Sequence, residues 1–270
     1  MNSVNLFGVR IDSVDAAQTR GLFAARLNQA GVSTAHLVCT PNPEFLLAAR
    51  RDSSFKELLN NFDLNLPDGV GLRFASAALT DQLLRNRVPG VQALLLLAEL
   101  CAESRRRLLL LGEQKVSEQG AAELRLQWPR LDVVVIDPGL INRAGELSQF
   151  TLDAIDCVEP AVIAVGLGQG KQEACIWQYR ARWPIVKIMI GVGGACAMIG
   201  KALPRAPKIL QRLGLEWLWR LVIEPQRFSR IWRAVVIFPL TVTIITLREH
   251  RFCQAVRRTI PEIFLQLIGR

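Results

Sequence analysis

Asp68 stands in the run Leu66-Pro67-Asp68-Gly69-Val70-Gly71, where an apolar stretch ends and glycines begin. A carboxylate on such a turn, with backbone slim enough for a substrate to come close, can take a proton from an acceptor hydroxyl as a general base. The same position also suits an aspartate that only starts a helix or turn. Upstream, Thr40 and Asn42 sit in the stiff loop TPNPE, with Pro41 between them and Pro43 after. A hydroxyl and an amide held on a rigid loop suit recognition of a polyol, which offers hydroxyls rather than charge. Either residue could instead begin the next helix, with Glu44 in its first turn. Arg87, in RVPG, carries the forked donors that fit a phosphate.

A second group of candidates lies later in the chain. Gly166 to Lys171, GLGQGK, has the backbone of an anion-cradling loop at a helix start, with Gln172 and Glu173 following, either to touch a sugar or to cap the helix. The run lacks full GxGxxG spacing, so a dinucleotide dehydrogenase is disfavoured. Gly191-Val192-Gly193-Gly194 follows another apolar run and is placed to line the same cleft. His36 and His250 have no partner at ligand spacing, no CxxC occurs, and no DxD pair is present to hold a divalent metal. No metal and no cofactor are therefore expected. If a sugar diphosphate is the substrate, arginine and backbone amides must offset its charge.

Positioning these residues requires an α/β fold with a largely parallel sheet, because short apolar runs alternate with helix-like segments. The strands read from the sequence are Ala35–Cys39, Phe62–Leu66, Arg107–Leu111, Val133–Ile136, Ala161–Val165 and Ile185–Ile190. Helices fill the gaps over Ala16–Gln29, Glu44–Arg50, Phe55–Asn60, Val91–Glu103, Ser117–Gln127, Leu147–Asp156 and Lys171–Arg180. Several strands end in turn chemistry, at Gly112, Pro138-Gly139, Gly166 and Gly191. Ligands of open α/β sheets bind outside such carboxyl ends.

Charge divides the chain in two. Residues 1–200 hold 20 Lys and Arg against 20 Asp and Glu, whereas residues 201–270 hold 13 against 4, so the whole excess of +9 sits in the tail. The division expected is an α/β body over residues 1–206 and a basic, helical, membrane-associating appendage over residues 207–270. Within the appendage, Gly214–Trp232 reads as helical, with Arg220, Arg227, Arg230 and Arg233 along one face. The uncharged run Ala234–Leu247 is too short to span a bilayer and is interrupted by Pro239; it suits an interfacial segment or a buried core element. Its apolarity argues against nucleic acid as partner of the tail. Half the residues are apolar, which excludes a disordered chain. The six cysteines show no framework spacing, and the polar N-terminus is no signal peptide, so the body is expected in the cytosol with reduced thiols.

The motifs TPNPE, LPDGVGL, RVPG, LLLLG, VGLGQGKQE, GVGG, RAPK and GLEWLWRLVIEPQR occur in this order. In that order the chain resembles the bacterial glycosyltransferases of the WecG/TagA/CpsF family, which includes N-acetylmannosaminyltransferases of teichoic-acid and enterobacterial-common-antigen synthesis. The likeness extends from Ala35 to Arg233. It implies a Rossmann-like body and a metal-independent, inverting transfer from a UDP-sugar to a sugar on undecaprenyl diphosphate. The place implied is the cytoplasmic face of the bacterial inner membrane, peripherally bound at its anionic surface, with self-association left open. By motif match, Asp68 is the general base, Thr40 and Asn42 line the sugar site, and Arg87 faces the charged substrate. Gln172 matches the active-site glutamine, and Glu173, Gly112, Gly168, Gly191 and Gly193 complete the substrate cleft. Arg220, Arg227 and Arg230 match arginines of an appendage that closes the site over the acceptor diphosphate at the membrane. Two positions depart from the family pattern: Gly170 replaces a usual Pro, and Cys196-Ala197 replace a usual Phe-Asp. N-acetylmannosamine, its uronate and glucose all remain open as donors. A non-catalytic, membrane-attached sugar-nucleotide-binding protein is the alternative, and the cleft carboxylate favours the enzyme.

Overall fold

The computed structural model describes residues 2–31, 34–200 and 228–268, with Pro207, Leu210 and Trp219 as single positions between them. An antiparallel hairpin opens the chain, with β1 (Ser3–Leu6) and β2 (Val9–Asp12) joined at Phe7-Gly8. Helix α1 (Ala16–Asn28) follows, started by a reciprocal capping box between Asp15 and Gln18. Next come β3 (His36–Cys39), α2 (Pro43–Arg51), α3 (Ser53–Asn60), β4 (Leu64–Asn65), α4 (Val70–Leu79) and α5 (Gly90–Ser104). The body continues through β5 (Leu108–Leu111), α6 (Gln114–Gln127), β6 (Val133–Ile136), α7 (Gln149–Val158), β7 (Val162–Val165), α8 (Lys171–Tyr179), β8 (Ile188–Gly191) and α9 (Ala195–Ile199).

Strands β3 to β8 form one six-stranded parallel sheet in the order β4-β3-β8-β7-β5-β6. The sequence dictates this because β5, β7 and β8 read LLLL, VIAV and IMIG and are buried at every position, as strands covered on both faces must be. Alternation then divides their side chains between two cores. Leu37, Leu109, Leu111, Ile163, Val165 and Met189 meet the layer of α2, α3, α7 and α8. Val38, Leu108, Leu110, Val162, Ile188 and Ile190 meet α1, α5, α6 and α9. The expected α/β class with a parallel sheet and flanking helices is therefore present. The chain leaves β3 toward the first layer and β8 toward the second, so the two neighbouring strand ends diverge and open a crevice between them.

Some elements differ from the sequence reading. Hydropathy starts the last strand at Ile185, but a turn closed by Val186 N–H to Trp183 O delays β8 to Ile188. The hairpin, α4 and α9 are additional to the elements read from the sequence. The hairpin nevertheless covers the β4 edge: Asn65 N–H donates to buried Asp12 at 2.8 Å, and the Asn65 amide donates to Arg10 O and Leu59 O at 2.9 Å each.

The C-terminal part comprises α10 (Phe228–Trp232), a π-helical stretch (Arg233–Ile237), α11 (Phe238–Arg248) and α12 (Phe252–Ile268). It packs on the body. Phe238 is 1 % exposed, belongs to the first-layer core, and meets the Phe7 ring edge-on at 5.7 Å. Arg73 of α4 pairs with Glu262 of α12, and Arg258 reaches Thr80 O and Asp81. The run Ala234–Leu247 thus has an inner side, with Phe238 and Thr246 buried, and an outer side exposing Leu240, Ile244 and Leu247. Among the described residues no helix is long and apolar enough to cross a membrane. The expected boundary at 206/207 and most of the expected Gly214–Trp232 helix lie outside the described residues.

Candidate active site

Thr40 follows the last residue of β3 and is buried, and its hydroxyl donates to Gly191 O across the crevice at 3.0 Å. Asn42 accepts from the N–H groups of Glu44 and Phe45 at 2.9 and 3.2 Å, so it is the N-cap of α2, with Pro43 preset for the first helical turn. The helix-start reading of Asn42 is realised, which leaves its amide NH2 group for any other use.

Asp68 is held by its backbone, with its N–H donating to Pro41 O at 2.9 Å, and its side chain is half-buried. The N-cap of α4 is not Asp68 but Gly69, at φ 101°, a conformation glycine adopts without strain. Pro67 O accepts from Val88 N–H at 3.1 Å, which brings exposed Arg87 alongside the Asp68 turn. The structure therefore gathers TPNPE, LPDG and RVPG around one end of the crevice.

At the other end, glycines stack across the sheet. A Cβ on Gly112 would lie 3.5 Å from Gly166 O, and one on Gly166 would lie 3.2 Å from Gly193 O. Gly191 has no room for a side chain, since its Cβ would meet Gln172 Nε2 at 2.7 Å. Gln172 accepts from Gly193 N–H at 3.0 Å and donates to Glu173 Oε1 at 2.6 Å, while Glu173 Oε2 accepts from Gly170 N–H at 2.7 Å. Both side chains are buried, at 1 % and 0 % exposure. Burial pushes the Glu173 carboxyl up to about 7, opposed by the hydrogen bonds from Gln172 and Gly170. The Cys39 thiol lies 3.9 Å from Glu173 and is itself pushed well above its usual range by burial and by that carboxylate. Lys171, which the glycine loop could have aimed at a phosphate, donates instead to Ile141 O at 2.8 Å. Gly168, at φ 83°, accepts from Gln172 N–H at 3.1 Å and so starts α8.

Gly170 and Cys196, expected as departures from the family pattern, each have a local role. Gly170 holds φ 87° and donates its N–H to Glu173, and proline can do neither. Cys196 is buried against Gly120, whose Cβ would lie 3.1 Å from it, so α6 and α9 meet through two small residues.

Arg220 and Arg227 lie outside the described residues, and of Arg230 only the backbone, within α10, is described. Arg233, from the same arginine series, is placed: its Nε lies 3.8 Å from Glu44 Oε1 at the start of α2. Gln169 Nε2 approaches Glu44 O from the glycine loop at 3.5 Å. Glu44 and Cys39 were not singled out as site residues from the sequence. The first was legible as the acidic end of TPNPE; the second carries no signal beyond apolar context. Among the described residues no three His, Cys, Asp or Glu side chains converge as a metal-binding group would.

Comparison with known proteins gives the chain's family and its named relatives. A model of the glycosyl transferase WecG/TagA/CpsF family matches residues 4–252. The N-acetylglucosaminyldiphosphoundecaprenol N-acetyl-beta-D-mannosaminyltransferase of Bacillus subtilis strain 168 is 28% identical over 196 residues, 72% of this chain and 74% of its own. The proteins of that name from Bacillus spizizenii and Staphylococcus aureus MRSA252 are 25% and 29% identical, over 89% and 87% of this chain and 90% of each of theirs.

Proposed function

The chain belongs to the WecG/TagA/CpsF family of glycosyl transferases, as the match over residues 4–252 shows, and from that premise we propose the reaction it performs. It moves a hexosyl residue, N-acetylmannosamine before its uronate or glucose, from a UDP-sugar onto N-acetylglucosamine carried by undecaprenyl diphosphate. The order of donors follows the activity for which its relatives are named. The observation that carries the reading is Asp68, a half-buried residue whose backbone N–H is bonded to Pro41 O beside the Thr40–Asn42 loop.

In the reaction, Asp68 takes the proton from the acceptor hydroxyl as that oxygen attacks the anomeric carbon from the face opposite the UDP group, which inverts the configuration. Thr40 and Asn42 orient the donor sugar. Arg87, with Arg220, Arg227 and Arg230, offsets diphosphate charge without a metal, and the glycine-lined ends of β5, β7 and β8 give the nucleotide close access to backbone.

The enzyme works as a peripheral protein on the cytoplasmic face of the inner membrane. Supporting this, the outer side of the C-terminal helices exposes Phe228, Trp232, Leu240, Ile244, Leu247 and Phe252 among basic residues. The test is transfer by the purified chain from UDP-N-acetylmannosamine, UDP-N-acetylmannosaminuronate and UDP-glucose to synthetic polyprenyl-diphosphate N-acetylglucosamine, read by mass spectrometry with and without EDTA. Transfer of N-acetylmannosamine that survives chelation is expected. UDP binding without transfer from any donor leaves the binding-protein reading instead, and loss on chelation with rescue by Mg²⁺ means the diphosphate charge is offset differently.

A further inference from the structure

Gln172 and Glu173 form one chain of hydrogen bonds beneath the cleft, from Gly193 N–H through the Gln172 amide and the Glu173 carboxyl to Gly170 N–H. The groups facing the carboxyl are all donors: the Gln172 amide and Gly170 N–H from α8 and its entry, and the Cys39 thiol from β3. The end of β8 approaches it with Gly191. No cationic side chain among the described residues pairs with it. A carboxylate accepts from every one of these donors. A carboxylic acid would instead offer its O–H to Gln172, favouring the turned amide, whose NH2 would then confront Gly193 N–H.

We propose that Glu173 is a positioning residue whose carboxylate fixes the Gln172 amide with Oε1 toward Gly193, tying the start of α8 to the end of β8. A buried carboxylate with no cation is costly, and its partners here are all directed at one amide orientation. Through Gln172 it holds Gly193 and, behind it, the strand end whose Gly191 O receives Thr40. Because burial pushes the carboxyl up to about 7, the cleft changes between its two amide orientations near neutral pH. The proposal rests on the transferase reading for its activity assay alone.

The test is kcat and KM across about pH 5 to about pH 9 for the purified full chain, for Glu173→Gln, for Gln172→Ala and for the double variant, with thermal unfolding at each pH. Wild-type kcat should rise with pH through about 7, the value to which burial brings Glu173. Each single variant should lose that limb and about tenfold in plateau kcat, with a smaller change in donor KM, and the double variant should be no worse than the poorer single. A Glu173→Gln enzyme with wild-type rate and pH profile overturns the proposal, as do single losses that multiply in the double variant. If Glu173→Gln does not fold, Gln172→Ala decides: a limb that persists there overturns the proposal, and one that vanishes supports it.

A wild type that transfers no donor removes the transferase reading alone, and unfolding then carries the test. The folded carboxyl, at about 7, binds its proton more tightly than its ordinary value of 4.5, so wild-type stability should fall as pH rises between them. Gln172→Ala should carry that fall to higher pH, since a donor to the carboxylate is gone. An unchanged profile in Gln172→Ala overturns the proposal.

Discussion

On the β7–β8 side of the crevice, polar side chains are bonded to one another and to backbone, Gln172 to Gly193 and Glu173 to Gln172 and Gly170, and Thr40 reaches over from the β3 end to Gly191. On the β4 side, Asp68 is half-buried and Arg87 exposed, and their places are set by backbone bonds to Pro41 and Pro67 and by the C-terminal helices packed behind α4. The first wall supplies shape, and the second carries the residues proposed as base and anion ligand. A substitution in the first wall should therefore alter stability and rate together, whereas one at Asp68 should alter rate far more than stability.

The largest effect is expected where the tail supports the open wall. Phe238→Ala should cost about 4 kcal/mol in urea unfolding, the usual range for a core aromatic, because the ring fills the space between Phe7 and Gly71. A loss below about 1 kcal/mol would mean the tail is accessory to the fold. Asp68→Asn, which keeps the side chain's shape, should lower kcat by about 10² or more with a far smaller effect on the unfolding midpoint. Near wild-type turnover removes Asp68 from the role of base, and a large fall in stability would erase the contrast between the walls.

Gly191→Ala brings a methyl to 2.7 Å from Gln172 Nε2. Stability should drop by about 2 kcal/mol, as overpacking does, and rate should drop with it; circular-dichroism melts beside a turnover assay would show whether the two move together. The smallest change is at Asn42, the α2 cap. Asn42→Ala should cost about 1 kcal/mol and Asn42→Asp almost nothing. If Asp restores stability but not rate, the amide also touches the donor sugar; if it restores both, Asn42 serves as a cap.

The parallel sheet was legible because strands buried on both faces become continuous apolar runs, as in LLLL and VIAV. The hairpin strands, SVNL and VRID, are of the same length but mix polar with apolar residues, so they form no continuous apolar run. Asp68 and Thr40 could be found from turn chemistry, since proline and glycine mark where strands end. What could not be found was which polar side chains turn inward. Cys39 and Glu173 lie 134 residues apart, so no local spacing announces their contact. Asn42 is a residue type that serves equally as ligand and cap, and only the bonds to Glu44 and Phe45 show which of these it does here. Likewise, the uncharged run around Phe238 reads the same whether it meets lipid or protein, because hydropathy counts apolar surface without saying what covers it.

Phe238 also bears on how this enzyme can be recombined with its relatives. The ring lies against Phe7 from the first hairpin and Gly71 from the middle of the body, while Glu262 pairs with Arg73. A chimera that takes its last forty or so residues from another member would inherit a foreign side chain at each of those meeting points. Exchange should succeed only when Phe7, Gly71 and Arg73 travel with the tail, so the unit of inheritance is a set of positions scattered along the chain and not a contiguous C-terminal block.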